Sequence, residues 1–344
     1  MSFKVRIVQA ERTIVVPTGA TILSAALDAG LSYPFGCQSG NCGACKSHLV
    51  KGEVTMEGYS EFALSDEEKE RGLILACRAV PWEETEVAWL EEDDLIVHPR
   101  RLLGCKVVGL DDATHDIKRI RLKIVSGGPF DFSAGQFASV TFEGCPPRDY
   151  SMANVPGDPI LEFHVRTTGG ATSTHVAEKL EIGDPVRVEG PFGPSYLREA
   201  HRGPIIAVAG GSGMAPIKSV IERALQKALP QHIYFYFGVR SERDLYLHDH
   251  FAKLAEAHKN LHFIPVLSEG DGAERRQGLV HEAVAQDFDE FDGCKAYLAG
   301  PPVMVEAATK LFEQRGMRRI DIHADAFYTA AEMASAGKKT GAEL

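Results

Sequence analysis

Residues 3–16, FKVRIVQAERTIVV, alternate apolar and polar positions as a half-buried β-hairpin does. The following TGATILSAALDAGL reads as a short helix with Thr21 as its N-cap and Gly30 at its end. Two strands, a helix and the cysteine-bearing loop after it describe a small α+β unit, closing near the acidic LEEDD at 90–94. From about residue 98 to 200 the pattern changes to short β-runs cut by turns: RLLGCKVVGL, IKRIRLKIVS, GQFASVTF, ILEFHVRT and DPVRVEGPFG. Such spacing, with Gly and Pro between the runs, predicts a β-barrel or sandwich. From about 203 onward the apolar runs PIIAVAG, HIYFYFGV, LHFIPVLS and KAYLAG alternate with the helical stretches APIKSVIERALQKAL, LHDHFAKLAEAH and PPVMVEAATKLFEQRG. That alternation predicts a parallel sheet with helices on both faces. No internal repeat interrupts the order, and the small, polar AAEMASAGKKTGAEL predicts a frayed tail.

Charge narrows the choice of partners. The formal net charge is −11, and residues 1–97 hold 8 Lys+Arg against 16 Asp+Glu, which leaves −3 for the rest. No broad basic field remains for nucleic acid, whose phosphates are bound mainly by Lys and Arg. Acidic runs such as DEEKE can steer a basic protein partner or simply keep the surface solvated. MSFKVRIVQA has no unbroken apolar core, and the apolar PIIAVAGGSGMAPI is short and broken, so neither a signal peptide nor a membrane span is expected. Seven cysteines, an odd number without an export signal, point to the reducing cytoplasm rather than to a disulfide framework.

Those cysteines carry the strongest chemical signal. Cys37, Cys42 and Cys45 are spaced C-x4-C-x2-C, and Cys77 follows after 31 residues. This is the plant-type spacing for a 2Fe–2S cluster, three thiolates from one loop and the fourth from elsewhere. Gly36, Gly40 and Gly43 let the backbone curl so that N–H groups face the sulfurs. A zinc site would more naturally offer two C-x2-C pairs, and only one is present. Cys105, Cys145 and Cys294 lie without such partners and read as packing residues.

Two later regions suggest bound phosphates. In RDYSMAN (148–154) an extended strand puts Arg148 and Tyr150 on one face, where the charge can hold a phosphate and the ring can lie against a flat cofactor. Any surface strand can also carry Arg-x-Tyr. HVRTTGGATSTHVAEKL (164–180) adds a glycine turn and hydroxyls just before a helix, a natural diphosphate site, though an ordinary turn reads the same way. IIAVAGGSGMAPIKSV (205–220) is a strand, a glycine-rich turn and a helix start, without the G-x-G-x-x-G fingerprint. YLAGPPVM (297–304) ends another strand at the same sheet edge, and two such strand ends form a ligand crevice.

With these motifs in place, the chain resembles the ferredoxin–NAD(P) reductase superfamily, in the form with an N-terminal plant-type ferredoxin domain. That form serves as the reductase component of bacterial ring-hydroxylating and related multicomponent oxygenases. The resemblance covers nearly the whole chain and implies a multidomain α+β and α/β fold. A β-grasp 2Fe–2S domain over 1–95 would precede an antiparallel β-barrel FAD domain over 98–201 and a doubly wound parallel-sheet NAD domain over 202–330, with a flexible tail over 331–344. It implies that Arg148 holds the FAD pyrophosphate, Tyr150 stacks on the isoalloxazine and Ser151 sits near its N5. His164, Val165 and Arg166 lead into the family's diphosphate turn, matched here by Gly170, Ala171, Thr172 and Ser173. The nicotinamide turn is matched by Gly210, Gly211, Ser212, Gly213, Met214, Ala215 and Pro216, with serine where the family often has threonine. Gly300, Pro301 and Pro302 follow Ala299, which stands where many relatives have cysteine. In HADAFYT, Phe327 takes the role of the aromatic covering the flavin face, with Tyr328 second to it and Asp325 as a polar neighbour.

The resemblance implies electron flow from NADH through FAD and the 2Fe–2S cluster to a terminal oxygenase, by a cytoplasmic monomer. FGVRSERDLY sets Arg240 and Arg243 against Glu242 and Asp244, and carboxylates there repel the 2′-phosphate of NADPH. Two other readings keep part of this picture: a reductase for a deoxysugar dehydratase, and a redox-sensing module without turnover. HDH at 248–250 invites a metal, but it lies in a charged helical stretch and reads as a solvated face.

Overall fold

The computed structural model describes residues 1–90, 96–269 and 275–329. The chain forms two compact units, one of Met1–Val97 with the chain from Tyr328, the other of His98–Phe327. Apart from Leu90, the acidic linker expected at 90–94 lies outside the described residues, as does the tail at 331–344.

In the first unit the predicted hairpin is β1 (Ser2–Ile7) and β2 (Arg12–Pro17), followed by α1 (Ile22–Asp28). Then come β3 (Lys46–Lys51), β4 (Val54–Met56), α2 (Asp66–Glu70), β5 (Leu73–Leu75), β6 (Ala79–Pro81) and β7 (Thr85–Trp89). The main sheet runs β2-β1-β7-β3-β5, and only β1 and β7 pair in parallel. Alternate residues Val5, Ile7, Ile14 and Val16 turn inward, and α1 lays Ile22, Leu23, Ala25 and Ala26 into the same core. Thr21 caps α1 by accepting from the Ser24 N–H at 3.2 Å. This is the expected β-grasp arrangement, with the cysteine loop strung between α1 and β3.

The second unit begins with a barrel: β8 (Arg101–Asp112), β9 (Ile117–Ser126), β10 (Phe137–Phe142), β11 (Arg148–Ser151), β12 (Ile160–Arg166), α3 (Ala171–Glu178) and β13 (Pro185–Phe192). The strand order is β11-β10-β13-β8-β9-β12, every pair antiparallel. A bridge between Met152 and Phe163 joins the two ends, so the sheet is almost closed. Period-two residues such as Val107, Leu122, Val140, Phe163 and Val188 fill its interior. Cys105 belongs to that core and Cys145 packs against it.

A parallel sheet follows: β14 (Ile205–Gly210), α4 (Met214–Gln226), β15 (Ile233–Val239), α5 (His248–Ala257), β16 (Leu261–Leu267), β17 (Arg276–Gln277), α6 (Val280–Asp287), β18 (Lys295–Gly300), α7 (Pro302–Gln314) and β19 (Ile322–Ala326). Its order is β17-β16-β15-β14-β18-β19, all parallel. Ala207, Phe235 and Tyr297 face α4 and α5, whereas Val208, Tyr236 and Leu298 face α6 and α7. Covered on both sides, β14 reads as an unbroken apolar run. Cys294 is buried in the second of these cores.

Lys295 and Asp321 tie β18 to the turn before β19, Nζ to Oδ1 at 2.6 Å, and Arg318 Nε holds the other carboxylate oxygen at 2.7 Å. Burial pushes the Asp321 carboxyl up, but Arg318 and Lys295 outweigh it and hold it below its ordinary value. A depressed folded pKa gives stability that is complete above the unfolded value near 4 and is lost as pH falls through the folded value. Asp321→Asn leaves Lys295 buried without a counter-charge. Denaturant unfolding at pH 7 should show a loss of about 3–5 kcal/mol, shrinking toward zero as pH falls through the depressed folded value and the wild-type carboxyl is itself neutralised.

Candidate functional site

The cysteine loop gathers its thiols in two pairs. All four are free, with Cys45 and Cys77 buried and Cys37 and Cys42 partly so. Cys37 lies within hydrogen-bond reach of Cys42, and Cys45 of Cys77. Backbone N–H groups of Ser39 and Asn41 donate to Cys37 Sγ at 3.4 and 3.3 Å, Cys37 N–H donates to Cys42 Sγ at 3.3 Å, and Cys77 N–H donates to Cys45 Sγ at 3.4 Å. The Cys42 hydrogen bond, helped by those from Ser39 and Asn41, holds the Cys37 thiol down to about 5 against its burial. The same pairing, followed by burial, pushes Cys42 and Cys45 up. Two irons with two thiolates each need this division, and N–H groups aimed at sulfur suit an anionic cluster. Glycine is required in the loop: a Cβ on Gly36 would lie 3.0 Å from Cys42 Sγ, and Gly40 and Gly43 have φ of +79° and +74°. The Tyr328 hydroxyl donates to the Asn41 carbonyl at 3.1 Å, so this residue serves the cysteine loop.

On the barrel, β11 carries Arg148, Tyr150 and Ser151. Arg148 is exposed and Tyr150 half-buried, its hydroxyl pushed up to about 12 mainly by burial and thus neutral. Ser151 is buried and its hydroxyl donates to Asp325 Oδ2 at 2.9 Å. The Phe327 N–H donates to the Gly300 carbonyl at 2.9 Å, fastening the segment beyond β19 to the end of β18. At the start of α3, Thr172 donates to the Pro146 carbonyl and Ser173 to that of Gly170, 3.1 Å each. These hydroxyls fix the turn, while Gly170 and Ala171 stay exposed and the first helical N–H groups, which have no intrahelical partner, are left for an anion. The arrangement fits a flavin dinucleotide.

The third region lies where the sheet order reverses, between β14 and β18. Gly213 packs so closely that a Cβ would fall 2.0 Å from the Ala299 carbonyl oxygen. A Cβ on Gly300, whose φ is +140°, would fall 2.7 Å from that of Gly210. Met214, Ala215 and Pro216 form the buried first turn of α4, and Pro302 opens α7 after Pro301. Beside this turn opens a cavity of about 500 Å³, walled by Gly210, Gly211, Val280, Pro301 and Met304 and edged by Arg240. Arg166 and Asp116, an ion pair at 2.7 Å, stand in the same wall, with the guanidinium against Gly211. Arg166 thus serves this cavity although it leads into the α3 turn. Arg240 shares the wall with Asp244 and Glu269.

Four functional candidates escaped the sequence reading: Asp116, Glu162, Lys218 and Tyr246. His164 is buried, its Nδ1 2.9 Å from the Tyr246 hydroxyl and its Nε2 3.0 Å from Glu162. The alternation of Glu162 and His164 along β12 was a readable signal, whereas Tyr246 and Asp116 sit in turns with no local pattern. In HDH, His250 bonds Glu222 at 2.6 Å and His248 bonds Arg275 at 3.0 Å.

A chain with these three regions is an oxidoreductase with FAD, NAD and 2Fe–2S domains. Residues 5–81 match the 2Fe-2S iron-sulfur cluster binding domain, 104–196 the oxidoreductase FAD-binding domain and 207–310 the oxidoreductase NAD-binding domain. The chain is 38% identical over 314 residues, 90% of its length and 94% of the relative's, to the ferredoxin–NAD(P)+ reductase component of the naphthalene 1,2-dioxygenase/salicylate 5-hydroxylase systems of Ralstonia sp. It is 35% identical over 349 residues, 99% of this chain and 98% of the other, to the reductase component of phenol 2-monooxygenase from Pseudomonas sp. strain CF600. The crystal structure of the Amycolatopsis cytochrome P450 reductase GcoB superposes with a TM-score of 0.78 at 36% identity, over 95% of this chain and 99% of that one. The protein belongs to the ferredoxin–NAD(P)+ reductase family, among the reductase components of oxygenase systems. Among the described residues no helix is long and apolar enough to cross a membrane.

Gly213→Ala tests the crevice, because its methyl group would meet backbone that cannot retreat. Calorimetric titration of the oxidised protein with NAD+ should show binding weakened by about tenfold or more, while the flavin content stays that of wild type.

Proposed function

We propose that this protein takes electrons from NADH and delivers them singly to the terminal oxygenase of an aromatic-compound oxygenase system. The observation that carries the reading is the pairing of the four thiols. Hydride exchange between nicotinamide and flavin alone would have no use for them, whereas one-electron delivery to a partner protein does. The named relatives serve a dioxygenase, a monooxygenase and a cytochrome P450, which supports an oxygenase as acceptor.

When bound, FAD accepts hydride from the nicotinamide and the iron–sulfur cluster carries the electrons onward one at a time. The residues arrange this. Cys37, Cys42, Cys45 and Cys77 hold the irons, and the Ser39 and Asn41 N–H groups offset negative charge on Cys37 Sγ. Arg148 and the turn Gly170–Ser173 neutralise the flavin diphosphate, while Tyr150 lies against the ring system. The Ser151 hydroxyl donates to Asp325 Oδ2, which would leave the serine oxygen's lone pairs free to accept from a bound flavin. Phe327, fastened to the end of β18 through its N–H, would cover the face of a bound flavin that nicotinamide must reach and keep water from it. Gly210–Pro216, with Gly300, Pro301 and Pro302, accept the dinucleotide diphosphate, and Arg166 lends it a cation.

NADH is the donor in this reading: Arg240 faces the cavity beside Asp244 and Glu269, and two carboxylates oppose a 2′-phosphate. The domains are assigned to 1–95, 98–201 and 202–330, and the protein acts as a monomer in the cytoplasm.

Anaerobic addition of NADH to holoprotein should bleach flavin and cluster together. Bleaching of the flavin alone would sink the scheme. Cys42→Ser should retain ferricyanide reduction and lose reduction of the oxygenase by about tenfold or more, and kcat/KM for NADPH should fall at least about tenfold below that for NADH.

A further inference from the structure

Beneath the glycine turn runs a line of buried polar groups that electron delivery does not use. It starts at Glu162 on β12, passes to His164 two residues on, then to Tyr246 in the segment between β15 and α5, and ends on the Gly211 carbonyl. The steps are 3.0, 2.9 and 3.3 Å. The His164 side chain is fully enclosed, and Glu162 and Tyr246 are 8% and 5% exposed. The line crosses from the barrel to the parallel sheet.

Proton counting shows what this line can do. Arg119 and Lys218 stand 3.4 and 3.7 Å from the Glu162 carboxylate and keep it ionised, so it can only accept. His164 Nε2 therefore carries a hydrogen. Burial, reinforced by the two cations, holds the imidazole below its ordinary pKa despite Glu162, so it is neutral and Nδ1 is a bare lone pair. The hydrogen between Nδ1 and the tyrosine oxygen must then come from Tyr246. A phenol has one hydrogen, yet two acceptors claim it: the imidazole at 2.9 Å and the Gly211 carbonyl at 3.3 Å. The longer contact is the weaker claim.

We propose that Tyr246 and His164 are positioning residues for the nicotinamide turn, tethering Gly211 to strand β12 through one shared hydroxyl proton. The inference rests on the reading that Gly210–Pro216 holds the dinucleotide. It gives the barrel a direct hold on the height of that turn, independent of the backbone packing at Gly213 and Gly300. Because the tether is divided, the turn can shift slightly as the diphosphate arrives without breaking a full hydrogen bond.

Tyr246→Phe in the holoenzyme removes the proton and keeps the ring, which packs edge-on against Phe237 at 5.8 Å. Calorimetry should show NAD+ binding weakened by about two- to tenfold. KM for NADH should rise in step while kcat and FAD content hold within about twofold. Wild-type affinity in this variant would overturn the tether. A wild-type protein that binds no NAD+ would instead overturn the nicotinamide reading, and the tether with it. Should the variant not fold, 15N-histidine spectra of the wild-type protein decide. They should show His164 protonated at Nε2, with an Nδ1 resonance that moves on adding NAD+; the opposite tautomer or an unmoved signal would overturn the proposal.

Discussion

The end of β18 meets the end of β14 and the turn after it backbone to backbone, and nothing larger than hydrogen fits there at Gly213 and Gly300. That constraint governs the nicotinamide half of the molecule. It brings the turn that precedes α4 and the start of α7 to one cavity, walled by Gly210 and Gly211 on one side and Pro301, Val303 and Met304 on the other. It also explains the strand order, since only neighbours on either side of the reversal can place two glycine-rich ends together. Ala299 fits the same logic, because its carbonyl, rather than its side chain, is the surface on which Gly213 rests.

A different constraint rules the thiol unit. Four sulfurs with negative charge cannot be buried together unless something positive lies among them or hydrogen bonds reach them from outside. The loop supplies the second, through N–H groups that left-handed glycines turn inward. The grouping of the sulfurs into Cys37 with Cys42 and Cys45 with Cys77 gives each of two irons a pair of ligands. The chemistry of the site is thus written in its backbone as much as in its cysteines.

Much of this was legible in the sequence, because the signals are local. Each long strand and the helices α1, α4, α5 and α7 follow from apolar periodicity, and the cysteine spacing and glycine turns occupy short windows. What escaped was non-local or weakly patterned. The helix α6 buries only Val280, Ala283 and Val284, too few to mark it from its run, and β19 is a short edge strand. Arg166 looked like part of the flavin turn because it precedes it in the chain, yet its side chain is drawn to Asp116 and faces the other cavity. Tyr246 had no readable role, since its partners are 35 and 82 residues away.

Besides the apolar packing of Ile117, Ala134 and Leu197 against α4 and its sheet, the barrel and the parallel sheet are joined by charges and hydrogen bonds. Lys218 of α4 donates to the Ala153 carbonyl at 3.0 Å, and Ser219 donates to that of Asn154 at 2.7 Å. The acceptors lie two and three residues after Ser151, so α4 is fixed in register to the strand that carries the flavin-side serine. Ion pairs inside a protein add little net stability over apolar substitutes, but they accept fewer arrangements. An apolar joint tolerates sliding by an ångström with little loss, whereas hydride transfer is sensitive to displacements of that size. A polar joint that is directional at Lys218 and Ser219, and deliberately loose at Tyr246, meets both needs: it sets the helix that begins the nicotinamide turn and leaves the turn itself free to adjust.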